Sequence, residues 1–161
     1  SLALLAACTP AAAPRYDVEE KPIAQLQADM TAGVVTSEQL VQAYLHRIAR
    51  MDDAGPGLNA VLSLNPNALA EARALDEERA QGRVRGPLHG VPILIKDNIE
   101  TAGPMATTAG SLALAQNVTG RDAPFVARLR AAGAVILGKT NLSEWANIRS
   151  SDSTSRWLKR S

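Results

Sequence analysis

Lys96 stands at the end of the apolar run Val91-Pro-Ile-Leu-Ile95, directly before Asp97-Asn98, and a lysine in that place invites acid–base chemistry. If its strand face is packed, desolvation penalises the ammonium and lowers its pKa, by up to roughly 3–5 units for complete burial. A lysine that is neutral at neutral pH is a general base. The alternative is that the strand ends at Ile95 and the amine reaches water along its own methylene stem, which burial statistics favour for a lysine taken at random. Strand alternation puts Lys96 on the face of Leu94, opposite Ile93 and Ile95, without saying which face is dry.

Other residues carry weaker chemical signals. Gly133-Ala-Val-Ile-Leu-Gly138-Lys139-Thr140 satisfies the letters of a phosphate loop, but that loop needs a strand before its first glycine and a helix from the lysine onward. Here a helical pattern precedes Gly133 and the interior is strand-forming, so Lys139 reads as a solvent-facing or loop-organising residue. His46 and His89 are the two histidines and share no metal-ligand spacing; both read as structural or exposed. Asp97 and Asn98 read as organisers of the turn after the strand, and Trp145 as a packed core residue on a helix starting near Asn141. No cofactor and no metal site is expected.

Three segments, in order, bear on function: Gly86-Pro-Leu-His-Gly-Val-Pro-Ile-Leu-Ile-Lys96-Asp-Asn98, then Thr107-Thr-Ala-Gly-Ser111, then the stretch from Asp122 through Gly138-Lys-Thr-Asn141 to Ala146. Together they resemble the amidase signature family, weakly from residue 22 and strongly from Gly86 to about 155. The residues Met105–Leu114 and Leu142–Asn147 are most similar to bacterial peptide amidases, with much shared by amidotransferase A subunits. The resemblance implies an α/β fold, here the N-terminal portion of the amidase-signature fold with a mixed sheet flanked by helices, incomplete. It also implies a relay of a serine, a second serine in a cis peptide and a lysine that hydrolyses a carboxamide through an acyl-enzyme. Lys96 matches the family's lysine.

The two serines match nothing in the chain. Ser150, Ser151, Ser153 and Ser155 lack the Gly- and Ser-rich context, Arg156 stands where the family has glycine, and residues 158–161 diverge. The expectation is therefore an inactive fragment whose end resembles a frameshift or premature stop. The competing expectations are a non-enzymatic envelope lipoprotein that uses the scaffold for binding, and an amidotransferase A-like subunit.

Around these residues the hydrophobic pattern predicts the positioning elements. Ile23, Leu26 and Met30 with Gly33 form a short helix. Thr36 and Gln39 have capping-box spacing ahead of the stripe Leu40, Val41, Tyr44, Leu45, Ile48 and Met51. Leu58–Leu64 alternates weakly as a strand; Asn65-Pro66 opens a helix to about Gln81, closed by Gly82. Residues 101–110 read as a loop, Asp122 caps a helix to Ala132 with Phe125, Val126 and Leu129 inward, and Ala134–Leu137 is a strand. Strands separated by helices predict a parallel or mixed sheet covered on both faces.

Composition narrows the partners. Seventeen basic and sixteen acidic residues leave a net charge of +1, so there is no electrostatic footprint for nucleic acid. The partner that the family resemblance implies is a small amide or a peptide amide. The single cysteine, Cys8, ends Leu2-Ala-Leu-Leu-Ala-Ala7, an apolar core that resembles a bacterial lipoprotein box. Residues 1–8 read as a signal remnant cut short at its start, 9–21 as a linker, 22–155 as the amidase portion and 156–161 as a divergent tail. Lipidation at Cys8 is the one membrane contact expected, in a periplasmic or lipid-anchored envelope protein.

Overall fold

The computed structural model describes residues 16–147, so Cys8 and the serines at 150, 151, 153 and 155 lie outside the described residues. The elements run α1 (Ile23–Thr31), α2 (Ser37–Ile48), β1 (Val61–Leu64), α3 (Ala68–Ala80), β2 (Pro92–Lys96), α4 (Pro124–Ala131) and β3 (Val135–Thr140). The sheet has the order β1-β3-β2, with β1 antiparallel and β2 parallel to the central β3. The chain is thus α/β with a mixed sheet, as expected.

The capping box forms as read. Thr36 Oγ1 accepts from the Gln39 amide at 3.1 Å, and Gln39 Oε1 accepts from the Thr36 amide at 2.9 Å. Asp76 of α3 adds a second cap, accepting the Ser37 and Glu38 amides at 2.7 and 3.0 Å, an anion placed at the positive end of α2. The stripe of α2 then buries Leu40 and Val41 and continues through a π-turn at Ala49–Asp53. Asp52, buried in that turn, accepts from the Ala60 and Val61 amides and fixes where β1 begins, three residues later than the alternation predicts.

Both faces of β3 are covered. Val135 and Leu137 pack with Val41, Ala72 and Leu75 of α2 and α3; Ile136 packs with Ile95, Met105 and Val126 on the other side. The strand runs on past Leu137 to Thr140, beyond the apolar residues of the pattern, and it carries a bulge: Ile93 pairs with Ile136, Leu94 with Gly138 and Ile95 with Lys139. Ile93 and Ile95 share a face, so their partners Ile136 and Lys139 also do, although three residues apart. An extra residue in one strand re-aims the side chains that follow it. Gly138 is required there, because a Cβ would run into the Ser63 carbonyl oxygen of β1.

Several details differ from expectation. Asn67 flanks α3 but makes no side-chain cap, whereas Asn65 Oδ1 accepts from the Asn67 amide at 3.0 Å at the helix entrance, and its Nδ2 also ties helix to sheet, donating to Ile136 O at 2.8 Å and Glu71 Oε1 at 3.0 Å. Asp122 does not cap α4, which starts one residue later behind Ala123; its carboxylate holds the Ala102 amide at 2.6 Å and Arg130 at 3.0 Å. Phe125 is not inward: Val126 and Leu129 take the core-facing stripe of α4, and Phe125, one position round the helix from Val126, is left at the surface. Trp145 is not a core residue. Glu144–Asn147 is a single 3-10 turn with left-handed backbone at Trp145 and Ala146 rather than an amphipathic helix, so no inner face exists and the indole is 57% exposed.

Candidate active site

Lys96 is the last residue of β2 and its side chain is exposed; its neighbour Ile95, on the opposite face, is buried. The predicted faces of the strand hold: Leu94, on the Lys96 face, packs against the cluster of α2 and α3, while the Lys96 side chain at the strand end is in solvent. The backbone around it is tightly held. Lys96 pairs with Thr140 in the ladder, its carbonyl accepts from the Ile99 amide at 3.0 Å, and the Asp97 amide donates to Thr140 O at 3.1 Å.

Asp97 is wholly buried and does organise the turn, as expected, whereas Asn98 is exposed. Asp97 Oδ2 accepts from the Thr108 amide at 3.1 Å and from the Thr108 hydroxyl, and the Asp97 carbonyl accepts from the Ala109 amide at 3.0 Å. This stitches the residue after Lys96 to the far side of the 101–110 loop.

The sequence allows the second lysine to be solvent-facing or loop-organising, and the structure excludes the first. Lys139 has no exposed surface, because the bulge turns it under the loop. Its Nζ donates to Ile99 O at 2.7 Å, Thr107 Oγ1 at 2.9 Å and Thr101 Oγ1 at 3.4 Å, and stands 3.6 Å from Asp97 Oδ1. Burial pulls the Lys139 pKa below its ordinary value, against the opposing pull of Asp97. Its segment is extended rather than wrapped as a phosphate loop, as β3 requires. Thr101, Thr107 and Thr108 are all buried; composition marks them only as loop residues, and no spacing rule links them to a lysine some 30 positions on.

His89 is structural. Its Nδ1 accepts from the Arg85 amide at 3.3 Å, which leaves Nε2 as the donor to Leu75 O at 2.9 Å, in a fully buried setting. His46 is half-buried on α2. Among the described residues no group of three His, Cys, Asp or Glu side chains could hold a metal, and no helix is long and apolar enough to cross a membrane. On the Leu94 side of the sheet an apolar groove of about 320 Å³ is lined by Tyr44, Ile48, Met51, Leu58, Leu94 and Leu137; Lys96 lies beyond its lining.

Comparison with known proteins places this arrangement. The Amidase family model matches residues 39–156. A putative amidase of Schizosaccharomyces pombe is 48% identical over 84% of the chain, which covers 23% of that relative. A glutamyl-tRNA(Gln) amidotransferase, in its A subunit from Chloroflexus aurantiacus, is 49% identical over 74% of the chain and 24% of its own length. The structure of peptide amidase from Stenotrophomonas maltophilia superposes with a TM-score of 0.80 at 61% identity, covering 84% of this chain and 27% of that one. The chain therefore spans about a quarter of the length of the relatives it matches. By that family match and by relatives close to half identical over most of its residues, the chain belongs to the amidase family.

Proposed function

We propose that this chain carries the base of an amide hydrolase, with Lys96 as that base and a linear carboxamide as substrate. The observation that supports it most directly is the position of Lys96: the final residue of a parallel strand, side chain open, with the next residue locked inward through Asp97. In the reaction read from the family, a serine hydroxyl attacks the amide carbonyl while the lysine, acting through a second serine, takes its proton and passes it to the departing amine; water then releases the acid. Lowering a lysine from about 10.4 to about 7 takes on the order of 4–5 kcal/mol of differential interaction. The Lys96 side chain is exposed among the described residues, and the serine pair has no match in the sequence. On this reading the 161 residues alone turn over no amide.

The similarity to peptide amidase favours a peptide C-terminal amide as substrate, and a peptide amidase has been solved with the competitive inhibitor chymostatin. The test is an amidase assay on the chain and on a form continued through the genomic downstream reading frames. Activity in the continued form that disappears with Lys96→Ala supports the proposal, and no activity in either removes it. The exposure of Lys96 also favours a second reading, a scaffold that binds without turnover, and the inactive outcome points there.

We further propose an envelope location through lipidation of Cys8, on the strength of the Leu5-Ala-Ala-Cys8 sequence. Fractionation of cells expressing a complete precursor checks it: the protein should sit with membranes and be released by Cys8→Ser.

A further inference from the structure

Lys139 is the largest fully buried side chain of the described residues, and the proposed chemistry does not use it. Four of its neighbours, Asp97, Ile99, Thr101 and Thr107, belong to the segment that leaves β2 immediately after Lys96. A lysine so placed is unusual, since lysines are almost never fully buried without a partner, and three donors spent on one backbone oxygen and two hydroxyls define a direction as well as a charge.

We propose that Lys139 is a positioning residue for Lys96. This rests on the reading of Lys96 as the base.

The coupling runs through the backbone. From Asp97 onward the chain must reverse away from the sheet, and the Asp97 amide to Thr140 O bond is the last ladder contact it makes. Beyond that point Lys139 holds Ile99 O, Thr101 and Thr107 from beneath, while Thr108 grips the Asp97 carboxylate whose other oxygen faces the ammonium. One buried cation therefore closes both sides of the turn whose first residue is Lys96. The bulge in β3 is what brings Lys139 to this face, and bulges are enriched beside active sites, where they re-aim side chains. Asp97 is the one charged side chain within ion-pair reach of Lys139 among the described residues, and none of them stands that close to Lys96. A base displaced by about 1 Å can lose on the order of 10²-fold in rate, so the clamp bears on turnover even though Lys139 touches no reacting atom.

The experiment uses the continued, amidase-complete form, with Lys96→Ala, Lys139→Met and Thr107→Val, each checked for folded protein. The expected result is that Lys139→Met lowers kcat by on the order of 10²-fold with KM little changed, and moves the acid limb of the kcat/KM profile to higher pH as the turn that carries the base loses its clamp. Thr107→Val should move the same limb in the same direction by less. A folded Lys139→Met with the parent's kcat and acid limb overturns the proposal, and if that variant does not fold, an unmoved limb in Thr107→Val overturns it. A complete form without activity, or one unaffected by Lys96→Ala, removes the base reading first and this inference with it.

Discussion

Gly133 stands so close to His89 that a Cβ there would come within 2.8 Å of His89 Cα and 2.9 Å of its Nδ1. The glycine has a left-handed φ of +85° at the step from α4 into β3, and its carbonyl accepts from the Gly90 amide at 2.8 Å, just ahead of β2. The beginnings of the two parallel strands are therefore fitted to each other through one histidine and one missing methyl.

Gly133→Ala should destabilise the chain by about 2 kcal/mol or more, because it adds a backbone penalty to a collision with main-chain atoms. The urea midpoint should fall with the slope unchanged. An unaltered midpoint would mean that the strands begin with more room between them than this contact implies.

The α2 cap gives a gentler test. Thr36→Ala removes one acceptor from the first turn and should cost about 1 kcal/mol. Asp76→Ala removes two N–H partners at once and should cost more, near the upper end of the roughly 1.5–3 kcal/mol attached to a hydrogen bond with a charged group. Thermal melts of the two variants order them.

Burial of Lys139 should make stability rise with pH on the approach to 10.5. Burial holds the Lys139 pKa below 10.5 in the folded chain, so between that lowered value and 10.5 the unfolded chain binds the extra proton, and raising the pH favours folding. Tyr16 and Tyr44, both raised from 10.0 mainly by burial, act in the opposite sense only above that value. Urea midpoints followed upward in pH to just below 10.0 should therefore climb; a falling series would contradict a Lys139 pKa lowered by burial.

Amine acylation separates the two lysines without any turnover. Native chain treated briefly with a small acetylating reagent should be modified at the exposed Lys96 and protected at Lys139, and denaturant should make both reactive. Peptide mass spectrometry gives the ratio, and comparable labelling of the two in native conditions would count against an enclosed Lys139.

What the sequence made legible was local. The Thr36–Gln39 box, the α2 stripe, Gly33 and Gly82 as helix stops and the two faces of β2 are each fixed by residues within a few positions of one another. What escaped depended on distant partners. A lysine after a glycine at the end of an apolar run gives no sign of burial, since its acceptors lie 32 to 40 residues away and a bulge reverses the alternation that would otherwise assign its face. Phe125 and Trp145 depart from expectation for the converse reason: size and hydrophobicity argue for burial, but position around the helix and turn geometry decide where a side chain points. Lys96 itself is recognisable by the company of Gly86–Asn98 and not by periodicity, which favours an amine in water, as the structure has it.

Both outer strands, β1 and β2, meet β3 on one side only among the described residues. Each therefore offers a row of amide and carbonyl groups to any extended peptide that comes alongside, the usual route to self-recruitment and fibril seeding. Handling this polypeptide at high concentration should call for a capping strand or a holdase, and the threshold for turbidity becomes a direct gauge of how much of its periphery has found a mate.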